Sequence, residues 1–201
     1  KILLCNLPKG QVGEDNSTFF GILMAAKIQL AALRRVAIPE QKRKDFYLYI
    51  DEFQNFATPA FAQIMSEARK YRLNAILAHQ TIAQLEDQDL VKIILANTGT
   101  VLCFRTASPL DEEYLLPLFA PLVAKGEIAN LPSFSFYIKN NALAPQNTFS
   151  GETIPFKEES STSIVQAIKE YSRQTHGVPR EKVVRAIEDL YAKPPKQEAE
   201  G

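Results

Sequence analysis

Cysteine and histidine are scarce, with only two of each in 201 residues. Neither the cysteines nor the histidines fall at finger or ribbon spacing, so a structural zinc is not expected. Cys5 and Cys103 lie in the apolar runs ILLCNL and TVLCF, where buried, reduced thiols are expected. Charge of one sign is also missing. Lys and Arg total 23 and Asp and Glu total 23, so no overall basic field points to nucleic acid, and any such contact must come from local segments. No apolar stretch approaches the roughly 20 residues of a membrane span, which predicts a soluble chain, and no repeat of fixed period appears. A disordered ground state is excluded, because 46% of residues are hydrophobic and 23% charged, close to the globular average.

What is present is an alternation of short apolar runs with helical patterns. Ile2 to Leu7 reads as a buried strand, and LPKGQVGEDNS punctuates the chain before a long helix from about Ser17. Phe20, Leu23, Met24, Ile28 and Leu30 give that helix its apolar spacing. FYLYI, Phe46 to Ile50, reads as a strand covered on both faces of a parallel sheet. Helical residues over Pro59 to Tyr71, an apolar run from Leu73 to Ala78, helical turns within Thr81 to Ala96 and a fourth run, Thr100 to Phe104, continue the pattern. Ser108 and Pro109 are placed to start a helix over Asp111 to Leu118. The fold class is therefore α/β, with a mostly parallel sheet between helices. SFSFYIKN and NTFSGETIPF predict an antiparallel edge hairpin. Two charged helices, Ser163 to Thr175 and Pro179 to Tyr191, follow, and residues 194–201 lack core residues and are expected to be disordered. The expected division is 1–156 as the α/β domain, 157–193 as a helical appendage and 194–201 as a tail. A start at Lys1 inside an apolar run, without methionine, suggests part of a longer protein.

The strongest chemical signal is YLYIDEF. Asp51 and Glu52 end an apolar strand, and acids at the carboxyl end of a parallel strand face the crevice where ligands of open α/β sheets bind. There Asp51 can hold a magnesium ion through water, and Glu52 can orient or deprotonate a water attacking a γ-phosphate. Taken alone the signal is weak, because strand-ending acids are common as solvated turn residues or caps. The next run ends in His79 and Gln80, beside the acids if the strands are neighbours, and a carboxamide there can touch both water and phosphate. Arg69 and Lys70 sit near a helix end, either as surface cations compensating the dipole or, for Arg69, as a finger into a neighbouring subunit's nucleotide. Arg105 reads as a partner of Asp111 or Glu112 before a phosphate contact. The cluster Lys42, Arg43, Lys44, offset by Glu40 and Asp45, reads as a solvated connector.

YLYIDEFQNF, the stretch from EARKYRL to AHQTIAQL, NTGTVLCFR and the hairpin around LPSFSFYIK together resemble the DNA-translocating ATPases of type IV secretion and conjugation. These are the coupling proteins of the HerA/FtsK group, and the likeness covers about Lys1 to Phe156. The resemblance implies a RecA-like three-layer domain, a homo-hexameric ring, ATP and Mg2+, DNA in the pore and secretion components as partners. It also implies a cytoplasmic location at the inner face of the membrane. By position, Asp51 and Glu52 match the Walker B pair, Arg69 the trans-acting arginine and Gln80 the sensor glutamine.

One departure is large. Such motors cradle triphosphate in a GxxxxGK[ST] loop, and this sequence contains none. KGQVGEDNS, Lys9 to Ser17, lacks the Lys-Ser/Thr pair and reads as a strand-to-helix turn. The expectation is a carboxyl-terminal half of a motor, inactive alone. The alternative is a degenerate, non-catalytic ATPase domain that recruits DNA or secretion proteins. A metal-dependent nuclease would want several acids on strand ends, and only one pair is evident.

Overall fold

The computed structural model describes residues 2–58, 61, 65–85, 87–141, 147–157 and 161–192. The chain forms two compact units, Lys1–Thr153 and Ile154–Gly201. In the first, α1 (Lys9–Val12) and α2 (Glu14–Leu33) precede β1 (Phe46–Ile50), β2 (Leu73–Leu77), α3 (Gln88–Asn97), β3 (Thr100–Cys103), α4 (Pro109–Phe119), β4 (Ser135–Asn140) and β5 (Phe149–Glu152). The second holds α5 (Thr162–His176) and α6 (Arg180–Ala192), split at Gly177 and Pro179 as the sequence suggests. The tail from residue 194 lies outside the described residues, as does much of the helix expected from Pro59; Phe61 and residues 65–67 are helical.

The α/β fold carries both a parallel sheet and an antiparallel one. β1 and β2 pair in parallel, Phe46 opposite Leu73 and Ile50 opposite Leu77. The expected hairpin is present, with β4 and β5 antiparallel and Ile138 opposite Phe149. β3, expected as another parallel strand, instead pairs antiparallel with β4, Cys103 opposite Tyr137. An apolar run fixes burial but not its partner, and the long connection through α4 brings β4 back in the opposite sense.

Two other expectations are corrected. Ile2 to Leu7 form no strand, so Cys5 is exposed and only Cys103 is buried. On β1, Phe46, Leu48 and Ile50 pack into the core, while Tyr47 and Tyr49 lie exposed on the other face, where a phenol tolerates water. The strand is thus covered on one face, not two.

The core gathers one face of α2, both parallel strands, α3 and α4. Ala32, Phe53, Phe61, Ala68, Leu73, Ile82, Leu85 and Val91 are its buried members among the described residues, with Ala25, Ile28 and Leu115 among those packed against them. Small residues make the inward stripe of α2. Ser17, Gly21 and Ala32 are buried whereas Phe19, Phe20, Leu23, Met24 and Leu30 are exposed, so of the expected apolar face Ile28 packs inward while Phe20, Leu23, Met24 and Leu30 do not. The large ring of Phe56 explains the glycine in that stripe, because a Cβ on Gly21 would sit 1.9 Å from Phe56 Cε1. α4 begins as its sequence dictates: Ser108 Oγ accepts the Asp111 N–H at 3.4 Å and Pro109 occupies the first turn. No helix among the described residues is long and apolar enough to cross a membrane.

Candidate active site

The ladder between β1 and β2 continues past the strands. Ala78 N–H donates to Ile50 O and Phe53 N–H donates to Ala78 O, both at 2.9 Å, which sets the residues after β2 beside those after β1. Between these bonds the chain turns sharply at Glu52, which adopts the left-handed conformation, φ 50° and ψ 46°. That conformation is costly for a residue with a Cβ, about 1–3 kcal/mol, and occurs where surrounding bonds impose it. Here Asn55 imposes it, its N–H and its Nδ2 both donating to Glu52 O at 3.0 Å. Asp51 Oδ1 accepts the Glu52 N–H at 3.0 Å.

The turn aims the Glu52 carboxylate at two amides. Gln80 Nε2 donates to Oε1 at 2.8 Å and Gln54 Nε2 donates to Oε2. Each carboxylate oxygen keeps a further acceptor site, so the group can still take a water proton. Asp51, Glu52 and Gln80, singled out in the sequence, are therefore brought together at the carboxyl end of the parallel pair.

The structure adds residues that the motifs did not reveal. Lys9, at the start of α1, donates through Nζ to Asn55 Oδ1 and to Glu14 Oε1, each at 2.8 Å. Glu14 is held below its ordinary pKa by the Lys9 hydrogen bond and charge. Gly13, at φ 84°, makes the tight step from α1 to α2 that glycine allows. Lys9 thus belongs to the glycine-containing turn after the first apolar run, and its signal was only the Lys-Gly pair. Asp111 is 2% exposed and accepts from Thr81 Oγ1 at 2.9 Å, Ile82 N at 2.8 Å and Thr106 Oγ1 at 2.7 Å. It ties the segment after Gln80 to the loop after β3. With Asp111 so occupied, and Glu112 accepting from the Gly126 N–H, the expected ion pair with Arg105 does not form; Arg105 is exposed and makes no ion pair with a described residue.

Arg69 lies elsewhere. It sits on the one-turn 3-10 helix Ala68–Tyr71 that leads into β2, so the whole strand separates it from Gln80. At about 3.3 Å per residue this is roughly 17 Å along the sheet. Arg69 and Glu52 occupy opposite ends of the parallel pair. The connector cation Arg43 is not merely solvated: its guanidinium donates to Ile38 O at 2.9 Å and to Lys70 O, and lies 5.7 Å from the Tyr71 ring centroid.

Among the described residues no cluster of three or more His, Cys, Asp or Glu could hold a metal ion. A multi-carboxylate cage is not what Mg2+ requires; it is commonly bound through one or two carboxylates, waters and substrate phosphates. The exposed Asp51 fits that donor set.

Residues 45–115 match the protein family described as the TraM recognition site of TraD and TraG. The chain is similar to that family over those residues, and its fold is similar to that of solved structures of a conjugative coupling protein. The bacterial conjugative coupling protein TrwB, unbound, superposes with TM-score 0.52 at 19% identity, covering 69% of this chain and 39% of that one. TrwB in complex with ADP and Mg2+ gives 0.50 at 21%, covering 69% and 38%. The genome packaging NTPase B204 of Sulfolobus turreted icosahedral virus 2, in complex with AMPPCP, gives 0.50 at 18%, covering 66% and 62%. The chain therefore spans about 39% of the coupling protein's length. No curated protein sequence matches it.

Proposed function

We propose that this chain supplies the hydrolytic and sensing elements of an ATP-driven DNA translocase of the conjugative coupling type, working as a homo-hexameric ring with secretion components as partners. The observation that carries the reading is the 2.8 Å bond from Gln80 to Glu52, joining an acid and an amide at the ends of adjacent parallel strands. Asp51 would hold Mg2+, which when bound neutralises phosphate charge. Glu52 accepts a proton from the attacking water as the new P–O bond forms, the β–γ bridging bond breaks and ADP leaves. Gln80 orients Glu52 and reports γ-phosphate occupancy. Arg69, too far from its own Glu52, stabilises charge on a neighbouring subunit's transferring phosphate, a contribution on the order of 10³ to 10⁵ in rate.

The phosphate cradle is not encoded in these residues, so we propose that a segment outside them provides it and that residues 1–201 alone do not turn over ATP. The test is Glu52→Gln in a motor that contains both this chain and a phosphate-binding loop. Nucleotide binding should persist while hydrolysis is lost; near-normal turnover overturns the reading. ATPase activity of residues 1–201 alone, abolished by Glu52→Gln, would instead overturn the divided site.

A further inference from the structure

The end of the sheet opposite Glu52 is crowded with cations. Residues 34–45 and 67–72 carry eight basic side chains against three acidic ones, although the chain as a whole is neutral. Three of these cations are engaged internally, Arg72 through an ion pair with Asp45 at 3.7 Å and Arg35 and Arg43 through backbone carbonyls. Arg35 Nη1 donates to Tyr71 O at 2.8 Å, to Arg72 O at 3.3 Å and to Lys44 O at 2.9 Å. Arg43 Nη1 donates to Lys70 O while its Nε donates to Arg35 O at 3.1 Å and to Ile38 O at 2.9 Å. Both side chains are half-buried, whereas Arg69 is exposed and its guanidinium makes no hydrogen bond or ion pair with a described residue.

The carbonyls so captured, those of Lys70, Tyr71 and Arg72, are the ones immediately after Arg69. They end a single 3-10 turn whose exit residue, Arg72, is left-handed at φ 56°. One turn of 3-10 helix has few internal bonds and does not hold its shape alone. Arg72 O also takes the Phe46 N–H at 2.9 Å, and the carbonyls that end the turn carry partial negative charge, which a cation at the C-terminal end offsets. Guanidinium groups suit this task because their planar fork reaches several acceptors at once, which an ammonium group does not.

We infer that Arg35 and Arg43 form a clamp that fixes the turn presenting Arg69, and are positioning residues for its action on the neighbouring subunit's nucleotide. This rests on the trans role proposed for Arg69. A neighbour's polyphosphate supplies the anion that the surplus of positive charge at this end lacks, and the clamp leaves Arg69 as an exposed guanidinium directed by a rigid turn. Misplacement of a catalytic group by about 1 Å can cost 10²-fold in rate.

The experiment is complementation in mixed rings of a motor containing this chain and a phosphate-binding loop. Arg43→Lys and Arg35→Lys keep charge but lose the fork, and each should lower kcat about 10²-fold with KM for ATP unchanged. Mixed with Glu52→Gln subunits, whose clamp and Arg69 are intact, either variant should partly recover. Mixed with Arg69→Ala subunits, neither should rise above the mean of the parents. A general folding defect would not sort into the complementation group of Arg69. Tyr71→Leu, which removes the ring beneath Arg43 but keeps an apolar side chain against the core, serves as a milder variant should the lysine variants unfold. Wild-type kcat in the clamp variants, recovery with Arg69→Ala, or no recovery with Glu52→Gln overturns the clamp. Full activity of Arg69→Ala, or failure of Arg69→Ala and Glu52→Gln to complement each other, overturns the underlying trans reading instead.

Discussion

Ile82 gives its backbone N–H to Asp111 Oδ1 at 2.8 Å across 29 residues of sequence, in a bond closed off from solvent. The same carboxylate takes the hydroxyls of Thr81 and Thr106. Two loops that follow strands of different sheets are therefore referenced to the first turn of α4, and Gln80 precedes the first of them directly.

Asp111→Ala should consequently be among the most destabilising single changes in Lys1–Thr153. It strands the buried Ile82 N–H, which costs about 1–3 kcal/mol if unsatisfied, and removes the acceptor of two half-buried hydroxyls. A net loss of about 3 kcal/mol corresponds to a fall of roughly 6–12 °C in Tm for a domain of this size. Asp111→Asn keeps one acceptor oxygen, and the Thr106 hydroxyl can rotate to accept from the new amide, so its Tm should lie between. Calorimetry of the three proteins checks the order.

Gly21→Ala should destabilise although it improves intrinsic helix propensity by about 1 kcal/mol. The added methyl would overlap the Phe56 ring at 1.9 Å, and forcing the ring aside costs about 1–3 kcal/mol. Phe56 follows the Glu52 turn, so the shift should also disturb the site. Urea denaturation should give a lower midpoint for Gly21→Ala, and recovery in Gly21→Ala/Phe56→Leu would identify the ring as the cause.

The two cysteines should separate by reactivity. Burial, with a smaller contribution from the Asp111 charge, pushes the Cys103 thiol up to about 11, and its Sγ donates to Phe104 O at 3.1 Å. Cys5 is exposed. Iodoacetamide at pH 8 should modify Cys5 in the native 201-residue chain and Cys103 only after unfolding. Because the folded thiol titrates above the unfolded one, its contribution to stability is complete below the ordinary thiol pKa, near 8.5, and is lost as pH rises towards 11. Cys103→Ala should flatten the alkaline limb of the Tm profile between those values.

Much of the site could be read in the sequence because its parts interrupt apolar runs. FYLYI stops at Asp51 and Glu52, and LNAILA stops just before His79 and Gln80, so two adjacent strand ends were marked by polarity alone. The supporting residues carry no comparable mark. Arg35 and Arg43 bond to backbone carbonyls up to 37 residues away, and a carbonyl has no residue identity to recognise. The inward face of α2 differs for a related reason: Gly21 faces the core because Phe56 fills the space beside it, and Ser17 because its hydroxyl reaches Leu7 O, tertiary facts that apolar spacing cannot contain. The antiparallel partner of β3 likewise depends on the path of the chain through α4 and not on Thr100 to Cys103.

Gln80→Ala tests whether the amide next to Glu52 is functional or incidental. In the folded chain Gln80 occupies one oxygen of the Glu52 carboxylate and Gln54 the other, while Asn55 holds the strained backbone of Glu52 independently. Removing Gln80 therefore leaves the turn intact and frees one end of the carboxylate, so stability should change by less than about 1 kcal/mol, as for an exposed hydrogen bond. If Gln80 positions Glu52 for a water, hydrolysis in a motor with a phosphate-binding loop should fall about 10²-fold, the scale of losing one preorganised donor, with nucleotide affinity nearly unchanged. Gln80→Glu should fare worse, because it sets a second carboxylate against Glu52 and replaces an attraction by like-charge repulsion. That repulsion disfavours ionisation, so the activity of Gln80→Glu should require a higher pH than wild type. A pH–rate profile superimposable on the wild type in both variants would remove Gln80 from the reaction and leave Glu52 oriented by Gln54 alone.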